Sequence, residues 1–88
     1  MIITINKMEK LKYVKIGHYN SIIVFPEIIE HSQFKHLNPK SAGFCFITEE
    51  KVECYGESYS LGIKSNEEDS LLATKQICGI DAYLKMLL

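Results

Sequence analysis

The chain has 88 residues, of which 47% are apolar and 24% are charged, and its formal net charge at pH 7 is -1. This length leaves room for one small domain over residues 1–88, and the composition excludes the disordered and fibrous classes. The chain has ten Lys and Arg residues and eleven Asp and Glu residues, so it has no excess of positive charge to attract a phosphate backbone. This balance argues against nucleic-acid binding.

The chain opens with a short apolar segment, MIITI, which ends at Asn6 and predicts at most an edge strand over residues 2–5. It is far shorter than the ~20 residues of a membrane-spanning helix. The three cysteines are odd in number and show no CxxC spacing, unlike a secreted disulfide framework. We therefore expect a soluble, cytoplasmic protein with reduced thiols and no membrane partner.

Two runs rich in β-branched and aromatic residues follow, LKYVKI at residues 11–16 and SIIVF at residues 21–25. The Gly and Asn between them are typical of a hairpin loop, so the two strands should pair antiparallel. Pro26 suits the first turn of a helix, which predicts a helix over residues 26–37. Asn38 and Pro39 should end it.

A second hairpin is predicted around a turn at Glu49 and Glu50, so that the numbers of paired residues add up to 99. Cys45 then faces Cys54 on a side whose small residues would let a helix approach closely. The aromatic side should form a second packed layer or an exposed patch. The remaining predicted pairs are Gly43 with Gly56, Phe44 with Tyr55, Phe46 with Glu53, and Ile47 with Val52.

The last helix is predicted to begin with a capping box, in which Ser65 is the N-cap and Glu68 the N3 residue. Gly79 is a helix-ending signal, after which Asp81 would cap a short final helix. An apolar stripe at three- and four-residue spacing should be buried. Its members are Ala73, Ile77, Ile80, Leu84 and Leu87.

These elements predict an α+β fold, in which two ββα units form an antiparallel sheet with helices packed mainly on one face. The aromatic side of the second hairpin would suit a protein interface, because aromatic side chains bring large contact area. Burial of that side against a second copy would also enlarge a small core, so a homodimer is expected. The residues of this predicted interaction face are Phe44, Phe46, Tyr55 and Tyr59.

The segment from residue 56 to residue 65 offers glycines, hydroxyls and one lysine just before a helix N-terminus, where backbone N–H groups can receive an anion. The candidate ligand residues are Ser58, Ser60, Lys64 and Ser65. The alternative is that the serines only cap turns, and the segment lacks the spacing of a P-loop.

The sequence predicts no metal site and no cofactor. His31 and His36 are five residues apart, which places them on different faces of a helix, and His18 lies in a loop. The nucleophile-elbow pattern GxSxG is absent, so catalysis, for example by His31 with Ser32, is not favoured. Cys45 and Cys54 could form a disulfide, but two small residues under a helix is the favoured interpretation.

Several short motifs resemble those of a group of small phage and prophage proteins. They are HSxF from His31, SAGF from Ser41, GxSxSL from Gly56, and Ser65 followed by Asp69. The resemblance covers roughly residues 26–72 and implies an accessory protein made inside an infected bacterium, without any activity.

The first functional hypothesis is therefore a small non-enzymatic binding protein that acts on a host protein through the aromatic face or an edge strand. The alternative is an oligomeric binder of a phosphate- or nucleotide-type ligand at the serine-rich segment. A small hydrolase is the third hypothesis.

Overall fold

A four-stranded antiparallel sheet organises the protein, as seen in a computed structural model that describes residues 10–17 and 21–88. The strand order is β2-β1-β3-β4, so the chain crosses from one edge of the sheet to the other side of β1 before it forms β3. The predicted strand at residues 2–5 and the loop residue His18 lie outside the described residues. The strands are β1 (Leu11–Ile16), β2 (Ser21–Pro26), β3 (Pro39–Ile47) and β4 (Val52–Tyr55).

The remaining elements cover this sheet. A 3-10 helix connects β2 to β3, a two-stranded hairpin follows β4, and two α-helices end the chain. The α+β fold with an antiparallel sheet is therefore confirmed. These elements are the 3-10 helix (His31–Leu37), β5 (Glu57–Ser58), β6 (Ile63–Lys64), α1 (Asp69–Cys78) and α2 (Ile80–Met86).

The register predicted for the second hairpin is confirmed, with Cys45 opposite Cys54 and Phe44 opposite Tyr55. Strand β4 ends at Tyr55, so the predicted pair of Gly43 with Gly56 lies just beyond the ladder. A Cβ atom at Gly43 would collide with the carbonyl oxygen of Tyr55, so this position accepts only glycine.

The two faces of the sheet have separate cores. On the face that carries Cys45, the buried residues Tyr13, Ile22 and Val52 pack with Ala73 of α1, as expected for the side with small residues. On the opposite face, the 3-10 helix and the β5–β6 hairpin pack over a second cluster. Its buried members are Val14, Phe25 and Ala42.

Helix α1 also binds the backbone of both sheet edges. On β4, Thr74 Oγ1 accepts from the N–H of Val52 at 2.9 Å and donates to the Val52 carbonyl at 3.2 Å, while Ser70 Oγ accepts from the Cys54 N–H at 2.9 Å. On β2, the Gln76 amide accepts from the Ile22 N–H at 2.8 Å and donates to its carbonyl at 2.5 Å. At Ile22, Val52 and Cys54, side chains of one helix thus bond the outward backbone groups that no strand of residues 10–17 and 21–88 pairs with.

The helix predicted over residues 26–37 is largely wrong. Pro26 still pairs with Leu11 as the last residue of β2, and only residues His31–Leu37 are helical, as a 3-10 helix. Since β2 is an edge strand, it tolerates a proline that has no N–H to donate to a ladder. Asn38 ends the 3-10 helix in a left-handed conformation (φ 52°), so the predicted stop is confirmed.

The capping box predicted at Ser65 and Glu68 does not form. The N–H of Ser65 binds the carbonyl of Gly56 at 2.9 Å, and Glu68 precedes α1 without a side-chain capping bond. The carboxylate of Asp69 instead accepts from the N–H of Asn66 at 2.9 Å. Asp69, the first residue of α1, thus binds the N–H before the helix in place of the predicted cap.

The predicted break at Gly79 is confirmed, because its φ of 99° favours glycine and separates α1 from α2. Gly79 itself is the N-cap of α2, so the cap predicted at Asp81 is wrong. Burial of the whole apolar stripe is also wrong, since only Ala73 is buried. The other members are 40% (Ile77), 53% (Ile80), 50% (Leu84) and 54% (Leu87) exposed.

Candidate functional site

Three of the four predicted interface aromatics meet on the sheet face opposite α1. The ring of Tyr55 lies 6.1 Å from that of Phe44 and 6.1 Å from that of Phe46, between centroids. Tyr55 is 41% exposed, whereas the other two rings are half-buried. Tyr59 is 89% exposed on the turn between β5 and β6, and no ring contact joins it to the other three in the described part of the chain.

These aromatics continue a longer series of rings across the sheet. The His31 ring stands edge-on to Phe44 at 5.8 Å and to Phe25 at 5.5 Å, and Phe25 contacts Phe34 at 4.5 Å. The ammonium of Lys10 lies 4.1 Å from the centroid of Phe44, in a cation–π contact. Most of this surface is therefore already covered, which leaves Tyr55 as its most exposed ring.

His31 is a buried structural residue in this series. Its Nε2–H donates to the carbonyl of Gly43 at 2.8 Å, and only 4% of the residue is exposed. Burial lowers the pKa of His31, and the nearby positive charge of Lys12 lowers it further. His36, in contrast, is exposed in the 3-10 helix. Within residues 10–17 and 21–88, no three His, Cys, Asp or Glu side chains are grouped to hold a metal ion.

The predicted anion-binding residues do not converge. Ser58 is buried, and its Oγ accepts from the N–H of Leu61 at 3.2 Å and lies 3.4 Å from Ser60 Oγ. In the β5–β6 register, Ser58 pairs with Ile63 and Lys64 with Glu57, so the Ser58 and Lys64 side chains point to opposite sides of the hairpin. Of the four residues, the structure brings only Ser58 and Ser60 together, and the Ser58 hydroxyl caps the turn.

A buried ionic network lies between β1 and α1, and sequence analysis did not identify it. The ammonium of Lys15 is 3.2 Å from Asp69 Oδ1 and 2.7 Å from Glu68 Oε1. The other oxygen of Asp69 accepts from the Tyr13 hydroxyl at 2.5 Å, the short distance of a charge-assisted bond. The side chains of Lys15 and Asp69 are 4% and 0% exposed.

One ammonium, that of Lys15, lies between two carboxylates in this network. Burial disfavours the ammonium of Lys15, but its bonds to Glu68 and Asp69 outweigh burial and raise its pKa. Burial, together with the bond to Asp69, also raises the pKa of Tyr13, which keeps the phenol protonated as a donor. Because the Lys15 and Asp69 side chains are almost closed to solvent, the network links β1 to the start of α1. In the sequence, this network is indicated by the alternation of residues along β1, because that alternation places Lys15 on the same core face as Tyr13.

The last helix and its C-cap form an exposed apolar row. Ile80 and Leu84 of α2 and the C-cap residue Leu87 follow the i, i+4, i+7 spacing of one helix face and are 50–54% exposed. We call these three residues the α2 row. Helix α2 packs mainly against α1, with Lys75 Nζ of α1 5.2 Å from the Tyr83 ring centroid, so the α2 row stays clear of the sheet.

Strand addition at the sheet edges, the other predicted binding mode, meets an obstacle. The outward backbone groups of Val52 and Cys54 on β4, and those of Ile22 on β2, are already bonded to side chains of α1. A peptide strand would have to displace these bonds before it could pair there.

Comparison with known proteins gives no relative from which a function could be transferred. No family model, no curated protein and no solved structure matches the chain. Neither α1 nor α2 has the length and apolar content of a membrane-spanning helix, and the same holds for every helix in residues 10–17 and 21–88.

Proposed function

We propose that the protein is a small non-enzymatic binding protein that inserts the α2 row into an apolar groove of another protein. The observation that carries the proposal is the exposure of Ile80, Leu84 and Leu87 by at least half on one face of a terminal helix. Amphipathic helices commonly bind grooves through anchors at i, i+3 or i+4, and i+7. Contiguous exposed apolar surface on a small protein marks an interaction site.

The resemblance to phage and prophage proteins suggests a host protein as the partner and the host cytoplasm as the place of action. The three free cysteines agree with a reducing compartment. In this proposal the predicted aromatic face is secondary, because Lys10 and His31 already pack on Phe44.

A pull-down from bacterial lysate with matched variants tests the proposal. Leu84→Arg should lose the captured protein because it places a charge in the α2 row, whereas Tyr59→Arg, at an exposed site on the opposite hairpin, should retain it. A synthetic peptide of residues 79–88 should compete with the intact protein. Capture that survives Leu84→Arg would contradict the proposal.

Phe46→Arg separates the two candidate faces. If Phe46→Arg loses the captured protein while Leu84→Arg retains it, the interface is the aromatic side of β3 and β4 and not the α2 row. Native mass spectrometry of the same samples shows whether a second copy covers the α2 row. A dimer that dissociates in Leu84→Arg would identify the chain itself as the partner.

A further inference from the structure

We propose that Cys45 and Cys54 form a reversible redox site, in which a cross-strand disulfide closes when a low-molecular-weight disulfide such as oxidised glutathione is available. The two residues face each other directly in the β3–β4 ladder. Both carry free thiols in the structure described here. This inference is independent of the proposed binding function.

The backbone hydrogen bonds place the two cysteines in the closer of the two kinds of antiparallel pair. At the turn, the N–H of Thr48 binds the carbonyl of Lys51 at 2.9 Å, so this pair is hydrogen-bonded. Counting back along the ladder, Cys45 and Cys54 are a non-hydrogen-bonded pair, and the N–H of Cys54 indeed points away to Ser70. Such pairs have Cα atoms about 4.5 Å apart, within the range of roughly 4.4–6.8 Å found across disulfides.

The two thiols differ in access. Cys45 is fully buried, whereas Cys54 is only partly buried and is therefore the more accessible of the two. The neighbouring thiol of Cys54 lowers the pKa of Cys45. The neighbouring thiol of Cys45, together with burial, raises the pKa of Cys54.

Oxidation therefore proceeds in two thiol–disulfide exchanges. The Cys45 thiol has the lower pKa but is fully buried, so the more accessible Cys54 reacts first. Its thiol loses its proton to solvent, and the thiolate attacks one sulfur of oxidised glutathione, which breaks the S–S bond and releases one glutathione thiolate. The Cys45 thiolate then attacks the Cys54 sulfur of the mixed disulfide and releases the second glutathione. Two cysteine thiols are oxidised, one glutathione disulfide is reduced, and the released thiolates take up the two protons.

Cys78 serves as an internal control. Its thiol contacts the carbonyl of Thr48, while Ser70, the residue bound to Cys54, lies eight positions earlier on α1. Eight residues of helix span about 12 Å, too far for a disulfide without rearrangement. Cys78 should therefore form no disulfide with either of the other two cysteines.

The chain offers a direct test by peptide mapping, because trypsin cuts after Lys51 and separates the two cysteines into peptides 41–51 and 52–64. The folded protein is incubated with oxidised glutathione, quenched in acid, alkylated and digested without reduction. We expect peptides 41–51 and 52–64 linked to each other, with a mass about 2 Da below the sum of the two reduced peptides, and neither of them linked to the peptide that carries Cys78. The reaction should be faster at about pH 9 than at about pH 7, since the thiolate is the nucleophile.

Variants fix the assignment. Cys78→Ser should give the same linked peptides as the wild type, and Cys54→Ser should give none. Full alkylation of Cys45 and Cys54 after oxidation, stable glutathione adducts alone, or a link to the Cys78 peptide would each overturn the proposal. The wild-type result decides the question even if a variant does not fold.

Discussion

Helices α1 and α2 follow each other across Gly79, but their side chains have opposite roles. Helix α1 attaches to the sheet through polar groups as well as through the buried Ala73, because Asp69, Ser70, Thr74 and Gln76 all bond to strands. Helix α2 keeps large apolar groups in solvent. The comparison shows that apolar spacing on a helix does not by itself determine which face is buried, since partners for polar groups can fix the position of a helix.

The largest loss of stability is expected from a change to the Asp69 carboxylate at the start of α1. Asp69→Asn removes the buried negative charge beside Lys15, whose side chain is 4% exposed. Breaking a buried ion pair from one side costs about 3–5 kcal/mol, so we expect the free energy of unfolding in urea to fall by about this amount.

Glu68→Gln is the matched control for this prediction. Glu68 binds the same Lys15 ammonium, but its side chain is 62% exposed, so its loss should cost no more than about 1 kcal/mol. Equal effects of the two substitutions on the free energy of unfolding would show that the buried pair of Lys15 with Asp69 contributes no more than the exposed pair with Glu68.

The bonds from α1 to the edge of β4 should have the next largest effect. Thr74→Val keeps the shape of the side chain but leaves the Val52 N–H and carbonyl without their partner. Unsatisfied buried groups cost about 1–3 kcal/mol, and the Val52 amide should lose protection from hydrogen exchange. Thr74→Ser, which retains the hydroxyl, should restore most of that protection; no loss in Thr74→Val would mean that the edge is satisfied in another way.

His31 gives a pH-dependent effect away from both helices. Since burial lowers its pKa in the folded state, the unfolded chain takes up the proton first, near the ordinary value of about 6.5. Stability is therefore complete above this pH and should decline as the pH falls below it, by at most about 1.4 kcal/mol per pH unit.

Urea unfolding at a series of pH values measures this decline. His31→Gln should flatten the profile between about pH 6.5 and pH 5, whereas His36→Gln, at an exposed position, should leave it as in the wild type. An unchanged profile in His31→Gln would assign the decline to other groups.

The smallest effect on stability is expected in the α2 row. Leu84→Arg changes a half-exposed side chain, so the free energy of unfolding should change by no more than about 0.5 kcal/mol, while the proposed capture of a partner should be lost. Ala73→Arg on α1, at a fully buried position, should unfold the protein. A large loss of stability in Leu84→Arg would show that the α2 row belongs to the core.

The features that sequence analysis predicted correctly are local. Period-2 alternation and a two-residue turn at Glu49 and Glu50 were sufficient to place Cys45 opposite Cys54 and to bring Phe44 next to Tyr55. The conformation needed at Gly79 was likewise apparent from the residue type. In each case the interacting residues are close in the chain, so a turn or a single backbone angle determines the outcome.

Contacts between distant residues could not be predicted in the same way. Tyr13 and Asp69 are 56 positions apart, and no local pattern marks their bond, which replaced the expected capping box at Ser65. The side chain of Gln76 reaching Ile22 across 54 positions is a similar case. The candidate site could not be predicted for the same reason. Whether the apolar stripe on the last two helices is buried depends on where α2 packs, which no local pattern shows.

The attachment of α1 to both outer strands also bears on aggregation. A sheet whose edge N–H and carbonyl groups are free can add strands from other molecules and grow into fibrils. At Ile22, Val52 and Cys54 these groups are bonded within the chain, so the folded molecule presents little template there. Because α1 follows β1 to β6 in the sequence, these edge groups of a nascent sheet stay open until α1 is made, and the chain is more exposed to aggregation during that interval.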